Sequence, residues 1–267
     1  MKTASSSDIA AVGVAYLETD PSLAEVLRRL LMVGRSFFEQ PTEQKILATN
    51  RPAQMTGWRS VGVEYSQSPE RPDLNETFCF RLADAAAAHK ELPILAACRA
   101  AQASLDRVAE AILADIQVGV GASLDTPLVR TAKESWLQLN FSWPANAARE
   151  FIQDAHEDGH LLTLLLADQP GLEVLPDAEW VDGSASPERL IAFGGECGAL
   201  LTDDYIRPIM HRVRAHRHVA SRLSVAYFVN PDIDQVLDPW RAGVRNHNVD
   251  LLRWGQENPV RFGLPRL

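Results

Sequence analysis

Apolar residues recur at helical spacing through the first half of the chain and at alternate positions through much of the second. Asp20 followed by Pro21 reads as an N-cap with proline at the first helical position. Leu23, Leu27, Leu30, Leu31 and Phe38 then form one apolar stripe that stops near Pro41. A longer helix is predicted from about Pro93 to Val118, with Leu95, Cys98, Leu105, Val108, Ile112 and Ile116 on its buried face and Gly119 and Gly121 ending it. From Ser135 the period becomes two. Leu137, Leu139 and Phe141 share a face that meets a core. Trp136, Gln138, Asn140 and Ser142 share the other, which faces either solvent or the inside of a closed barrel. Further strands are predicted at 161–167, 172–175, 190–193, 199–202, 210–214 and 223–229, with Gly194, Gly195 and Gly198 as turn residues between two of them. With no helix start and no following lysine, those glycines do not make a phosphate loop.

Short strands behind helices predict an α+β fold built around a double-sheet jelly-roll core with N-terminal supporting helices. Without repeats or a proline-rich linker, the reading is a single domain over 1–267. In it, 1–134 is mainly helical, 135–232 is the jelly-roll core, and 233–267 is a C-terminal helix or lid that includes 249–254.

Composition narrows the partners. Of 267 residues, 46% are apolar and 23% charged, which is ordinary globular usage, and 26 basic against 35 acidic residues leave a net charge of −9. That balance disfavours nucleic acid and anionic membranes, so a small-molecule substrate is the expectation. Three widely spaced cysteines, Cys79, Cys98 and Cys197, suit neither a disulfide framework nor a thiolate zinc site and point to a reducing cytoplasm. No apolar run approaches the roughly 20 residues of a membrane span.

His156-Glu157-Asp158-Gly159-His160 can be read two ways. As His-Glu-x-x-His on a helix it would be a zinc metalloprotease site, with His156 and His160 one turn apart. Gly159 costs about 1 kcal/mol in a helix, and Leu161 to Leu166 reads as a buried strand, so that alternative is remote. As His156-x-Asp158 on extended chain, the pair offers an imidazole and a carboxylate on one side. His211, on a later strand-like segment, completes the facial triad that leaves positions open on non-haem iron(II). Arg222 and Ser224 stand at i and i+2 on the next strand. Facing a barrel interior, they make a carboxylate receptor of a forked guanidinium and a hydroxyl.

With these residues in place the chain resembles the isopenicillin N synthase-like Fe(II)/2-oxoglutarate-dependent dioxygenases. The likeness begins at Gly13 to Leu17. It runs through Phe37 to Lys45, Gly57-Trp58 and Asp73 to Phe78, and is densest from His156 to Pro231. The resemblance implies a double-stranded β-helix core, with His156, Asp158 and His211 as iron ligands, Arg222 and Ser224 as the cosubstrate-carboxylate site, and Asn140, from the family's Asn-x-Tyr, beside the cosubstrate. It implies O2-dependent oxidation of a C–H bond in a small molecule, with release of succinate and CO2. Hydroxylation is the default, and desaturation or cyclisation belongs to the same chemistry. An aspartate at 158 vacates no site for halide and disfavours a halogenase.

Two departures stand out. Ser142 replaces the usual tyrosine of Asn-x-Tyr, and no proline-led strand precedes Gly13, which would shorten the sheet edge. Two other classes remain open beside the oxygenase. One is an iron oxidase of the isopenicillin N synthase type that uses O2 without 2-oxoglutarate. The other is a metal-free binding protein on the same fold.

Overall fold

The structure, a computed structural model, describes residues 6–49, 54–84, 92–122, 134–231, 236–241, 249–250, 253–254 and 257. The chain opens with α1 (Ser6–Val12), β1 (Val14–Glu18), α2 (Pro21–Phe38), α3 (Thr42–Ile46), β2 (Gly57–Arg59), β3 (Asn75–Arg81) and α4 (Pro93–Gly119). It continues with β4 (Trp136–Ser142), β5 (Phe151–His156), β6 (Leu162–Ala167), β7 (Leu172–Leu175), β8 (Val181–Asp182) and β9 (Arg189–Gly194). Last come α5 (Glu196–Thr202), β10 (Met210–Arg214), β11 (Arg222–Val229), β12 (Val236–Leu237) and β13 (Val249–Asp250).

The two long helices start where the capping chemistry places them. Asp20 Oδ1 accepts from the backbone N–H groups of Ser22 and Leu23 at 2.9 Å each, satisfying donors that an N-terminus leaves orphaned. α4 begins at Pro93 and buries Ile94, Leu95, Cys98, Ala101, Leu105, Val108, Ile112 and Ile116 along one side. Each large apolar side chain so removed from water stabilises by roughly 1.5–3 kcal/mol.

Seven strands form one antiparallel sheet in the order β1-β9-β6-β11-β4-β3-β2, and four form a second in the order β5-β10-β7-β8. This is the double-stranded β-helix core. Alternation sorts the large sheet's side chains to two faces. Leu137, Leu139, Phe141, Leu164, Leu223 and Val225 join α2 and α4 in one apolar core. Leu165, Ile191, Phe193 and Ala226 turn the other way and pack with Ile152, Leu172, Val174 and Val213 of the small sheet. The latter face is the interior of the barrel.

Two sequence expectations need correction. The N-terminal part, mainly helical among its described residues, also gives β1, β2 and β3 to the sheet that holds β4. β3 escapes a pattern reading because its row facing the helices holds only Phe78 and Phe80 as apolar residues, with Glu76 buried beside them as the partner of Lys45. Residues 199–202, expected as a strand, are the end of α5. A short Ala-Leu-Leu-Thr run carries no periodicity that separates strand from helix. At 249–254, Val249 and Asp250 pair with β12 as a strand, while Arg253 and Trp254 are helical and Trp254 packs against the main core. The edge of the large sheet is β1, directly preceded by α1 and Gly13.

Candidate metal and carboxylate site

β5 and β10 run antiparallel with His156 directly opposite His211, so pairing alone sets the two imidazoles side by side with ring centroids 4.2 Å apart. His156 Nδ1 lies 2.8 Å from the carbonyl oxygen of Asp154, and His211 Nδ1 3.0 Å from that of Ile209. A carbonyl can only accept, so both Nδ1 atoms carry a proton and Nε2 is the nitrogen that each ring turns toward the other donors. Each Nε2 lies 3.8 Å from Asp158 Oδ1. One atom from each of the three residues falls within 4.8 Å of the others.

Asp158 sits in the loop after β5, and its position is held from two sides. Thr163 donates its hydroxyl to Asp158 Oδ2 at 2.6 Å, leaving Oδ1 for the histidines. The first N–H groups of α5 grip the loop backbone: Glu196 N donates to Asp158 O at 2.9 Å and Cys197 N to Gly159 O at 3.3 Å. The glycines are packing residues rather than simple turn residues. A Cβ on Gly195 would stand 2.3 Å from His160 O and 2.6 Å from Asp158 O, and one on Gly198 would stand 2.6 Å from Leu161 O.

Burial opposes charge on the Asp158 carboxyl, but His211, His156 and His160 outweigh it and hold the group below the ordinary carboxylate range. Burial also pushes His211 down, to about 4, with His156 adding to the effect and Asp158 opposing it. Two imidazoles and a carboxylate whose donor atoms converge are a donor set that suits iron(II).

His160 lies outside this group. Residues 157–159 are not helical, so the geometry that zinc-protease chemistry needs is missing. Its Nδ1 meets Asn230 Oδ1 at 3.0 Å, and its ring packs between Trp136 and Phe228. Burial lowers its pKa, so it is a neutral core histidine.

Arg222 and Ser224 face the same interior from β11. Arg222 Nη1 donates to Ser224 Oγ at 2.9 Å, while its buried Nε has no hydrogen-bond partner. The residue is 3% exposed, and burial lowers its pKa to about 10 against the opposing pull of Asp168. Asp168 is itself spent on Arg35 and on the backbone N–H of Leu223. Among the described residues no carboxylate forms an ion pair with Arg222. A buried guanidinium so placed is costly, and a ligand carboxylate would relieve it. Gly171 leaves room beside it: a Cβ there would lie 3.4 Å from Arg222 Nε and 2.8 Å from Arg214 O.

Ser142 stands opposite Arg222 in the sheet register, and Asn140 opposite Ser224. Asn140 Oδ1 accepts from Gln138 at 3.0 Å and from Asn75 at 3.3 Å. Sequence reasoning missed Thr163, although a lone hydroxyl in the Leu161 to Leu166 run was a usable signal.

Two family models match the chain. The 2OG-Fe(II) oxygenase superfamily covers residues 134–231, and the N-terminal region of non-haem dioxygenases in morphine synthesis covers residues 7–95. The chain is 40% identical over 79 residues to 1-aminocyclopropane-1-carboxylate oxidase homolog 9 of Arabidopsis thaliana, a match covering 29% of this chain and 21% of that relative. Matched segments thus span about a fifth of that curated relative's length. Among solved structures, JOX2 in complex with 2OG, Fe and JA has a TM-score of 0.79 at 18% identity, covering 96% of this chain and 80% of that one. An oxygenase from Shewanella oneidensis has a TM-score of 0.74 at 20% identity, covering 96% and 93%. At such identities the likeness to solved structures shows the fold. Together with the matched models and the converging His-Asp-His donors, it places the chain in the 2OG-Fe(II) oxygenase superfamily, a family of non-haem iron dioxygenases.

Proposed function

We propose that the protein is an Fe(II)- and 2-oxoglutarate-dependent oxygenase acting on a C–H bond of a small organic molecule, with hydroxylation as the default outcome. His156, Asp158 and His211 hold iron, and Arg222 with Ser224 holds the distal carboxylate of 2-oxoglutarate. When bound, iron and cosubstrate supply O2-dependent oxidation with release of succinate and CO2. The protein's own residues orient and desolvate. The carbonyls of Asp154 and Ile209 fix the imidazole tautomers, Thr163 selects the oxygen that Asp158 offers, and the apolar interior between the sheets excludes water. The observation that carries the reading is the buried Arg222 on the barrel-facing side of β11, whose Nε has no hydrogen-bond partner, in a fold that also brings three metal-donor side chains together.

The match to 1-aminocyclopropane-1-carboxylate oxidase homologs favours a second reading, an oxidase in which Arg222 and Ser224 clamp the substrate's own carboxylate. An anaerobic titration of protein, Fe(II) and 2-oxoglutarate separates the two. The oxygenase reading expects the visible charge-transfer band of the chelated cosubstrate without any substrate. No band at millimolar 2-oxoglutarate, and no succinate, would give the case to the oxidase.

A further inference from the structure

The barrel-facing side of the large sheet carries more polar groups than the triad and Arg222 account for. β3 sets Asn75 opposite Ser142, Thr77 opposite Asn140 and Cys79 opposite Gln138, and β11 continues those rows with Arg222, Ser224 and Ala226. Several of these side chains form one network. Gln138 Nε2 donates to Asn140 Oδ1 and to Glu64 at 3.0 Å each, Asn75 Nδ2 donates to Asn140 Oδ1, and Arg59 bridges Glu64 and the Cys79 sulfur.

Besides Arg222 Nε, this wall leaves over the Trp136 indole nitrogen at one end and two atoms side by side on β3. Asn75 Oδ1 and Thr77 Oγ1 make no hydrogen bond, the Thr77 hydroxyl having only the Cys79 sulfur beside it. Asn75 is 3% exposed and Thr77 1%. Folded chains leave few buried polar atoms unpaired because each is destabilising. Here two stand at i and i+2 on one strand, turned into the barrel. Apart from Arg222, the wall offers no free charge among the described residues: Arg59 is paired with Glu64 and Arg81 with Asp84, while Asp73 spends its carboxylate on Ser66 and Gln153. Aromatic rings continue the same face, with Trp136 and Phe228 centroids 5.5 Å apart.

We propose that Asn75 and Thr77 are the recognition pair for the primary substrate, and that this substrate is an uncharged small molecule presenting a donor and an acceptor side by side, as an amide, lactam or imide does. Asn75 Oδ1 accepts from the ligand N–H, and the Thr77 hydroxyl donates to the ligand carbonyl oxygen. Asn140 engages the Asn75 nitrogen and so turns its oxygen to the ligand. The inference rests on the oxygenase reading, in which the cosubstrate occupies Arg222 and leaves the β3–β4 wall to the substrate.

The test is a ligand-observed NMR titration of the full chain with Fe(II) and 2-oxoglutarate, kept anaerobic. The probes are δ-valerolactam and glutarimide; cyclohexanol, cyclohexanecarboxylate and cyclohexylammonium are comparators. The lactam and imide should bind in preference, and Thr77→Val and Asn75→Leu should each weaken them about tenfold or more. Both variants should keep the wild-type 2-oxoglutarate band. Thr77→Val should also raise the Tm of the ligand-free protein, because a methyl replaces an unpartnered hydroxyl, whereas a structural hydroxyl would lower it on removal. Equal binding of the comparators, undiminished lactam binding by both variants, or no lactam binding by the wild type overturns the proposal while the band persists. Absence of the band in the wild type overturns the oxygenase reading, and this inference with it.

Discussion

Thr163 shows how one hydroxyl sets up the metal site. It donates to Asp158 Oδ2 and leaves Oδ1 as the oxygen nearest both Nε2 atoms. Thr163→Val keeps the shape and removes the bond, so metal affinity should fall about 10- to 100-fold with the fold intact; isothermal titration with Fe(II) or a surrogate divalent ion reads this out. The histidines sort by the same reasoning. His211→Ala removes a converging donor and should abolish tight metal binding. His160→Ala leaves the triad whole and should retain it, at a cost in Tm from the cavity left against Trp136 and Phe228. Metal loss in His160→Ala with retention in Asp158→Ala would sink the assignment of the donors.

At the scale of elements, α5 is the piece that aims the ligand loop. Its first two N–H groups hold the carbonyls of Asp158 and Gly159, and Gly195 lets the backbones meet. Gly195→Ala forces a methyl into two carbonyl oxygens, so the loop must move. Expected outcomes are a Tm several degrees lower and weakened metal binding in the same variant; wild-type values for both would show that α5 does not position Asp158. This device was not legible in the sequence, because glycines needed for close approach look the same as glycines needed for a turn. Capping, by contrast, announces itself locally, so Asp20-Pro21 and Pro93 were readable as the starts of α2 and α4. The candidate donors were readable because His156 and Asp158 stand two apart just ahead of the apolar Leu161 to Leu166 run and His211 lies on a later strand-like segment. β3 was hidden: its inward polar row imitates a solvent-facing one until the second sheet is seen to cover it.

The whole molecule supplies what no single strand can, an interior walled by two sheets in which a cation without a carboxylate partner is tolerated. Arg222 is that cation, and its energetics differ with and without ligand. In the ligand-free protein its burial is uncompensated, so Arg222→Met, which fills similar volume with an apolar chain, should raise Tm; replacing buried charges by packed apolar groups stabilises by about 1–4 kcal/mol in favourable cases. With 2-oxoglutarate present the sign reverses. The variant loses a charge-assisted pair worth about 1.5–3 kcal/mol, an affinity loss of roughly 10- to 150-fold. Differential scanning fluorimetry with and without 2-oxoglutarate, at fixed anaerobic Fe(II), measures both terms in one experiment. A higher baseline Tm together with a lost ligand-dependent increment is the expected signature. An Arg222→Met variant that is less stable without ligand, yet keeps the full increment, would mean that the guanidinium is structural and that the carboxylate site lies elsewhere on the barrel wall.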